Sequence, residues 1–416
     1  MRILFCGIFY APDLIGVAKY NTELCEWLQS RGHEIRVVTT PPYYPAWRIP
    51  VAYKAWSYQS ESRHGISIKR APIYVPRNPS GIKRLIHHAS FAMTSAWPVI
   101  SEAYRWRPHL LMTVAPSLIS CRLVSFVANR IRARSWLHLQ DFEVDAAFGL
   151  GMLKHDFLYN IMLTVERRIL CSFDRVSTIS PQMLQGLLKK GVDIKRIYEL
   201  RNWVDIDQIV PSDRITDFRK TLALSDTDLV ALYSGSMSNK QGLDLIIEAA
   251  KELAISHPHI HFILCGEGPR KSKLQEMAIG LHNVHFIGLQ SDDRFSELLS
   301  TADFHLLPQR AEAADLVLPS KLGGIFASGR PVIATADPGT GLANEVEDAG
   351  LVVCPGNVHA FAEALKTIAE NPDLRVTLGA NARQRAEQRW NKTVILHSLE
   401  RELLTLCGQN GEKAVA

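Results

Sequence analysis

Apolar runs with strand character alternate with helix-length amphipathic patterns along almost the whole chain, and this rhythm starts twice. The first start is clear, because "RILFCGI", "VAKYNTELCEWLQSRG" and "HEIRVVTT" follow one another as strand, helix and strand within residues 2–40. Parallel strands joined in this way need helices over both faces of the sheet. The pattern therefore predicts an α/β protein with doubly wound, Rossmann-like sheets.

The rhythm restarts after "RNWVDIDQIVPSDR", and a chain of 416 residues is long enough for two domains. We predict an N-terminal domain over 1–203 and a second over 204–385. In the remaining segment, 386–416, we expect a helix that crosses back to the first domain and a frayed tail. The strands predicted for the second domain are "LVALYSG", "HFILCG", "VHFIG", "DFHLLPQ", "PVIATA" and "GLVVCPG", with helices near 242–256, 270–279, 292–300, 319–328 and 358–370.

Composition excludes several classes of protein. The net charge of +5, from 47 basic and 42 acidic residues, gives no support to a nucleic-acid partner. The first residues read as a buried strand rather than a signal peptide, and no run of 18 apolar residues is free of charge. Seven scattered cysteines without metal-ligand spacing suit a reducing compartment. The sequence therefore predicts a cytoplasmic protein.

One segment is unusually basic and aromatic. Residues 53–107 combine Lys and Arg with Trp and Tyr next to an amphipathic pattern, as in "GIKRLIHHASFAMTSAWPVISEAYRWRP". Such a segment suits a protein that rests on an anionic membrane surface. A solvated helix that covers a core would have the same composition, so both interpretations stay open.

Glycines close several strands of the second domain. Gly235 follows "LVALYS", Gly266 and Gly268 lie in "GEGPRKSKL", and Gly288 ends "VHFIG". Because ligands of such sheets bind at the carboxyl ends of the strands, we predict a phosphate-binding edge here. None of these loops has the GxGxxG spacing with a downstream acid, which argues against an NAD-dependent oxidoreductase.

Nine stretches, in order along nearly the whole chain, carry a family resemblance. They are "FYAPDLIGVAKYNTEL", "TTPPYYPAW", "APIYVPRNPS", "LHLQDFEVDA", "STIS", "RNWVDID", "YSGSMSNKQGL", "GEGPRKSKL" and "LPSKL" with "ASGRPVIA". The chain resembles the GT-B glycosyltransferases of the retaining family 4 type, and among them the bacterial exopolysaccharide enzymes. The resemblance implies two domains that face each other across a cleft, with the nucleotide-sugar donor on the second and the acceptor on the first.

The resemblance also implies two cations for the donor diphosphate. Lys240 of "NKQGL" would contact the diphosphate, where a positive charge stabilises the leaving group; a solvated loop lysine is the alternative. Pro319, Ser320 and Lys321 are expected to open a helix, with backbone N–H groups and the Lys321 ammonium directed at the same anion.

The sequence departs from the family at a pair of glutamates eight positions apart. Their places fall on Leu316 and Gly324, so neither carboxylate is present. Nearby Glu312 and Asp315 are the candidate replacements. Asp315 could bind sugar hydroxyls or stabilise an oxocarbenium-like centre, or it could merely cap the next helix.

The first domain supplies candidates for the acceptor side. Gly16 follows the first strand and begins a helix, where it would let donor phosphates approach. Asp141 ends the strand "SWLHLQ", where it could take the acceptor proton or orient its hydroxyl. His138, two residues inside that strand, is expected to be a hydrogen-bonded core residue.

No metal site is predicted. The Asp-x-Asp pairs used with manganese in another glycosyltransferase architecture occur only formally, at Asp205 with Asp207 and at Asp226 with Asp228. Both pairs are expected to lie in turns away from the ligand-binding strand ends.

The residues and the resemblance together predict a metal-independent glycosyltransferase that requires no cofactor. That the transfer retains the anomeric configuration is implied by the resemblance alone. Its donor would be a GDP- or UDP-linked sugar, and its acceptor a polyprenyl-diphosphate-linked glycan at the inner membrane surface. The alternative is a nucleotide-sugar-binding protein of the same fold with little or no turnover, because the glutamate pair is missing.

Overall fold

The computed structural model describes residues 1–13, 16–78, 81–142, 144–145, 156–212, 216–310 and 318–408. The chain divides into two compact units. Unit 1 comprises Met1–Arg201 and the segment that begins at Val394, and unit 2 comprises Asn202–Thr393. Among the described residues, no helix combines the length and hydropathy that a bilayer crossing requires.

Unit 1 is built on an eight-stranded sheet with the order β3-β4-β2-β1-β5-β6-β7-β8. All neighbouring strands are parallel except β3 and β4, which form an antiparallel hairpin at one edge. The sequence analysis missed β3, because "QSESR" has no apolar residue and gains its place only by pairing with β4. The strands are β1 (Arg2–Gly7), β2 (Glu34–Thr39), β3 (Gln59–Arg63), β4 (Ile66–Arg70), β5 (Leu110–Val114), β6 (Arg134–Leu139), β7 (Arg175–Thr178) and β8 (Ile197–Glu199).

The helices of unit 1 cover its sheet and close its core. The side chains of β1 point alternately to the two faces of the sheet. On one face, Leu4 and Cys6 pack into a hydrophobic cluster with Phe91 and Val124, which lie on α2 and α3. The helices are α1 (Val17–Ser30), α2 (Gly81–Trp106), α3 (Leu118–Ile131), α4 (Asp156–Leu170) and α5 (Pro181–Lys189).

The last helix of the chain, α14 (Lys392–Leu406), packs on unit 1. Its buried stripe is Leu396, Leu399 and Leu403, at helical spacing. Glu400 lies beside that stripe, and its carboxylate is 2.9 Å from Nε2 of His33. Unit 1 is therefore built from two segments of the chain that lie on either side of unit 2 in sequence.

Unit 2 is built on a six-stranded parallel sheet with the order β11-β10-β9-β12-β13-β14. The chain moves outward from β9 to one edge and then returns to the other side of β9 at β12, so the order reverses between these two strands. Ligands bind at such a switch point in doubly wound sheets. The strands are β9 (Leu229–Ser234), β10 (Ile260–Cys265), β11 (Val284–Ile287), β12 (Phe304–Leu307), β13 (Val332–Thr335) and β14 (Gly350–Val353).

Both faces of this sheet are buried. Ala231 and Tyr233 of β9 point into one hydrophobic cluster, and Val230 and Leu232 point into another. The helices are α6 (Asp217–Thr221), α7 (Asp244–Leu253), α8 (Lys271–Met277), α9 (Asp292–Thr301), α10 (Lys321–Ala327), α11 (Gly341–Val346), α12 (Val358–Glu370) and α13 (Pro372–Arg389). The doubly wound sheets predicted from the sequence are thus present in both units.

The start predicted near residue 242 for α7 is wrong by two residues. Gly242 has a left-handed backbone with φ of 61° and follows a short 3-10 turn over Asn239–Gln241, so the α-helix begins only at Asp244. Glycine adopts a left-handed backbone at little energetic cost, and this conformation interrupts a right-handed helix. Leu243, Ile246, Ile247 and Ala250, which recur at helical spacing in this segment, are buried.

We expect Asp303→Ala to destabilise unit 2 strongly. The Asp303 carboxylate accepts hydrogen bonds from Nη2 of Arg219 at 2.5 Å and from the N–H of Val230 at 2.8 Å. The Arg219 and Asp303 side chains are only 6% and 7% exposed. Losing the carboxylate would leave a buried guanidinium uncompensated, at a cost of about 3–5 kcal/mol in the free energy of unfolding.

Glu248→Ala is the matched control, because Glu248 pairs with Lys251 on the surface of α7 with both side chains 43% exposed. Its loss is expected to cost at most about 1 kcal/mol. Urea unfolding of both variants measures the difference. Equal shifts of the unfolding midpoint would contradict the prediction.

Candidate functional site

The predicted donor-side residues of unit 2 gather at the carboxyl ends of β9, β10 and β11, beside the switch point. Three turns meet there through backbone hydrogen bonds. The N–H of Gly235 donates to the carbonyl of Cys265 at 2.8 Å, and the N–H of Gly266 donates to the carbonyl of Ile287 at 3.1 Å. The N–H of Met237 donates to the carbonyl of Glu267 at 2.9 Å. The turns after β9 and β10 are therefore fixed against each other.

Two glycines are required by this close approach. A Cβ on Gly266 would lie 2.0 Å from the carbonyl oxygen of Gly235, and a Cβ on Gly268 would lie 2.5 Å from the carbonyl oxygen of Met237. Their φ angles are +146° and +157°, which side chains rarely adopt. Neither position can carry a side chain unless the two turns separate.

Lys321, the first residue of α10, lies over Gly235. A Cβ on Gly235 would be 2.4 Å from Cε of Lys321, so the bare Cα makes room for the lysine side chain. The ammonium donates to the hydroxyl of Tyr233 at 2.7 Å and lies 4.1 Å from the centre of its ring. Burial lowers the pKa of Lys321 to about 7, because the charged form loses its hydration.

Tyr233 is a site residue that the sequence analysis missed. Its ring belongs to the core, but its hydroxyl reaches the edge of the sheet, where it donates to the carbonyl of Ser236 at 2.6 Å and accepts from Lys321. Burial raises the pKa of Tyr233, so the hydroxyl stays neutral. A tyrosine in the otherwise aliphatic run "LVALYSG" is the sequence signal that could have identified it.

Lys240, the predicted diphosphate contact, is exposed on the 3-10 turn that leads into α7. Its carbonyl accepts from the N–H of Arg310 at 3.2 Å, which ties the turn to the segment after β12. No carboxylate among the described residues forms an ion pair with its ammonium. As far as the described residues show, the Lys240 ammonium is therefore solvated.

Two arginines, Arg270 and Arg310, lie close to this turn. Asp244 at the start of α7 pairs with Arg270, and its other carboxylate oxygen is 3.6 Å from Nη2 of Arg310. One carboxylate thus faces two guanidinium groups. Sequence reasoning did not single out these arginines, because they lie in different loops and only the fold brings them together.

Gln309, at the end of β12, adds a polar group at the switch point. Its N–H donates to the hydroxyl of Thr335 at 2.7 Å. Its side-chain Oε1 is buried and has no hydrogen-bond partner among the residues that the structure describes. Buried amide oxygens are normally paired, so this atom is open to a donor group.

The other predicted residues of unit 2, Pro319, Ser320 and Gly288, contribute to local turns. Pro319 and Ser320 precede α10, whose first turn closes with the N–H of Leu322 donating to the carbonyl of Pro319 at 3.0 Å, as predicted for a helix opening. The carbonyl of Gly288 accepts from Nε2 of Gln290 at 2.9 Å and lies 3.2 Å from Sγ of Cys265. Gly288 therefore stabilises the turn after β11.

The place of the missing second glutamate is apolar. A Cβ on Gly324 would meet side-chain atoms of Leu299, Phe295 and Ile209 at 3.6–3.9 Å. A carboxylate at this point would have to leave that environment to reach a ligand. Asp315, Glu312 and Leu316 lie outside the described residues.

The predicted residues of unit 1 lie at the carboxyl ends of their strands. Gly16 precedes α1 with φ of 62°, and nothing lies within 4 Å of a Cβ built on it. Its conformation, rather than close packing, is what favours glycine. Asp13, in the same loop, accepts from the N–H of Tyr43 at 3.3 Å, and burial raises its pKa.

Asp141 is exposed two residues after the end of β6, and its contact with an acceptor stays a prediction. His138 is buried and hydrogen-bonded, with Nδ1 2.9 Å from Oγ of Ser177 and Nε2 2.9 Å from Nε2 of Gln140. Burial lowers the pKa of His138 to about 3, so the ring stays neutral. The expectation that His138 is a core residue is confirmed.

The formal Asp-x-Asp pairs lie in turns. Asp205 accepts from the N–H groups of Asp207 and Gln208, and Asp228 accepts from the N–H of Ser225 at 2.7 Å. Within the described ranges, one other group, Glu252, His359 and Glu363, places its ligand atoms within 4.8 Å of one another. All three are exposed on α7 and α12, and Lys366 already pairs with Glu363. This group is separate from the strand ends described above.

Comparison with known proteins places both units in sequence families. Residues 16–203 match the glycosyl transferase 4-like domain, and residues 214–385 match the glycosyl transferases group 1. The chain is 39% identical over 406 residues to the colanic acid biosynthesis glycosyl transferase WcaI of Escherichia coli K12. That match covers 95% of this chain and 98% of the relative.

Solved structures agree on the fold. Sucrose-phosphate synthase from Thermosynechococcus elongatus matches with a TM-score of 0.74 at 19% identity, over 98% of this chain and 99% of that one. HepE from Anabaena in complex with UDP matches with a TM-score of 0.73 at 17% identity, over 97% and 100%. The predicted fold class, with two Rossmann-like domains of the GT-B type, is confirmed, and the chain belongs to the GT-B glycosyltransferases of the group 1 and 4-like families.

Proposed function

We propose that this glycosyltransferase transfers a sugar, with retention, from a nucleotide-diphosphate sugar to a lipid-linked oligosaccharide in the synthesis of a bacterial exopolysaccharide. The observation that carries the proposal is the position of Lys321 over Gly235 at the switch point of unit 2. Its ammonium is held by the neutral hydroxyl of Tyr233, and no carboxylate among the described residues pairs with it, so a diphosphate would supply the counter-charge. The relative named for colanic acid biosynthesis supports the pathway.

Unit 2 would hold the donor. Gly235, Gly266 and Gly268 let the turns pack closely against each other and against Lys321. Lys321 and Lys240 would neutralise the two phosphates of the donor. HepE, solved with UDP and with UDP-glucose, supports a nucleotide-sugar donor. Both UDP and GDP remain candidate nucleotides for this chain.

The bond changes are those of a glycosyl transfer. The bond between the sugar C1 and the β-phosphate oxygen breaks, a bond from C1 to the acceptor oxygen forms, and the acceptor hydroxyl loses its proton. Negative charge grows on the diphosphate, where Lys240 and Lys321 would stabilise it. Asp141 would orient the acceptor hydroxyl or take its proton, and Asp315 would stabilise positive charge at C1.

A second function is favoured by one observation. Gly324 and Leu316 stand where the relatives' glutamates are expected, and the surroundings of Gly324 are apolar. A protein that binds a nucleotide sugar with little or no turnover is therefore the competing proposal. Calorimetry combined with an assay for donor hydrolysis distinguishes the transferase from the binding protein. Binding without transfer or hydrolysis would favour the binding protein.

The direct test is transfer of a radiolabelled sugar to lipid extract. A thermal-shift screen of UDP-, GDP- and dTDP-sugars first selects the donor, because a ligand that binds the folded state raises the unfolding temperature. We expect one nucleotide class to stabilise the protein and its sugar to appear in the lipid fraction. No transfer from any of these donors would contradict the proposed activity.

Lys240→Ala is expected to lower kcat by roughly 10²-fold while donor affinity changes much less, because a charge on the leaving group matters most in the transition state. Lys251→Ala, on the surface of α7, is the control and should leave both constants unchanged. Steady-state kinetics and calorimetry with the selected donor provide the measurements. Equal losses in affinity and turnover would make Lys240 a binding residue only.

Donor affinity is expected to fall as the pH rises above about 7. Below its pKa of about 7, Lys321 is already an ammonium in the free protein. Above that pH it is an amine and must take up a proton to pair with the diphosphate, which lowers the affinity by up to about tenfold per pH unit.

Titration calorimetry of the intact nucleotide sugar from pH 6 to 9, in two buffers of different ionisation enthalpy, measures this proton uptake. Lys321→Arg keeps the charge at every pH and should remove the dependence. A flat affinity and identical enthalpies in both buffers would contradict the prediction.

A further inference from the structure

Helix α2 is apolar on two opposite sides, although only one of them faces the core. The inward side includes Phe91, Val99 and Ala103, which are buried in the core of unit 1. A helix that covers a sheet normally presents polar residues to solvent on its other side. The outward side of α2 does not follow this rule.

Large apolar side chains form a stripe along the outward side of α2. They recur at intervals of three, four and seven residues, so they lie on one side of the helix over most of its length. The stripe consists of Ile82, Ile86, Met93, Trp97, Ile100 and Tyr104, which are 73%, 51%, 72%, 66%, 38% and 47% exposed. Scattered exposed apolar residues are ordinary, but a continuous stripe marks an interaction site.

The neighbouring helix extends this surface. Helices α2 and α3 pack against each other, and both contact strands of the unit 1 sheet, so their outward sides lie next to each other. Helix α3 contributes Ile119 and Phe126, seven residues apart and 58% and 51% exposed. The outward sides of α2 and α3 are called the docking surface below.

The charge of the docking surface is of one sign. The only acidic residue in either helix, Glu102, is buried and forms ion pairs with Arg36 and Lys69. The basic residues are exposed, namely Lys83, Arg84, Arg105, Arg122 and Arg130. The surface is therefore apolar and cationic.

Apolar and cationic groups occur together rather than in separate patches. The guanidinium of Arg130 lies 5.7 Å from the ring centre of Phe126, and that of Arg107 lies 5.8 Å from the ring centre of Tyr104. Aromatic rings and the stems of basic side chains suit the depth of a bilayer where acyl chains meet headgroups.

A second copy of the chain fits the docking surface less well. If two such surfaces met, exposed basic residues would face each other, and neither helix has an exposed acid to pair with them. An anionic lipid surface supplies both an apolar phase for the stripe and negative charge for its basic neighbours.

We propose that the outward sides of α2 and α3 dock unit 1 onto a membrane leaflet that contains anionic lipids. This inference deepens the proposed function, on which it rests for its biological setting, because it names the residues that would meet the membrane of a lipid-linked acceptor. The contacts that carry it are independent of the donor site.

Co-sedimentation of the full chain with lipid vesicles tests the docking surface. The wild-type protein is expected to bind vesicles of phosphatidylcholine with phosphatidylglycerol and to bind pure phosphatidylcholine at least tenfold more weakly. Met93→Ser with Trp97→Ser should lower the partition coefficient at least tenfold. Both side chains are exposed, so the fold should be retained.

Ile255→Ser with Ile279→Ser is the matched control, because these unit 2 side chains are 95% and 80% exposed. This variant should bind vesicles as the wild type does. Lys83→Glu with Arg130→Glu tests the charge and should abolish the preference for anionic vesicles. Lys220→Glu with Lys251→Glu changes the net charge equally on unit 2 and should preserve that preference.

Several outcomes would overturn the proposal. They are failure of the wild type to bind either vesicle, equal losses in the docking-surface and control variants, or binding that ignores lipid charge. Sedimentation velocity without lipid gives a fourth, namely a dimer that Trp97→Ser dissociates, which would assign the surface to a second copy.

Sugar transfer is measured separately. Vesicle binding without transfer would leave the docking surface standing and contradict the proposed activity. Transfer to lipid extract by a protein that binds no vesicle would do the reverse.

Discussion

The backbone contact between the turns after β9 and β10 determines the geometry of the proposed donor site. Gly266 lies so close to the carbonyl of Gly235 that a side chain would not fit, and backbone hydrogen bonds hold the two turns together. The bare Cα of Gly235 then leaves the space that the Lys321 side chain occupies. A methyl group on either glycine would separate the turns or displace the lysine. The position of the cation is thus a consequence of backbone packing.

Lys321 and Lys240 lie in different environments, and the roles proposed for them differ accordingly. Lys321 is desolvated, and its partner among the described residues is a neutral hydroxyl, so its positive charge is unfavourable until an anion arrives. Lys240 is exposed and keeps its hydration. A desolvated cation discriminates strongly between charged and neutral ligands, whereas a solvated one can follow charge as it moves during a reaction.

The sequence predicted what depends on local pattern and missed what depends on contact between distant segments. Glycine-closed strands and the buried stripe of Leu243, Ile246 and Ile247 follow from periodicity, which is a local property. The hydroxyl of Tyr233 was not recognised because its ring obeys the same strand pattern as its aliphatic neighbours. From the sequence, the outward side of α2 was recognised only by its basic and aromatic composition. The helix carries two apolar stripes, and the sequence pattern alone does not show which stripe faces the core.

The return of α14 to unit 1 affects the order in which the two units can fold. In sequence, unit 2 is an insertion within unit 1, because Asn202–Thr393 separates the main body of unit 1 from its last helix. During synthesis, the apolar surface of unit 1 that receives Leu396, Leu399 and Leu403 stays uncovered until α14, which follows unit 2 in sequence, has been made. The inserted unit is continuous and can therefore fold before its host is complete.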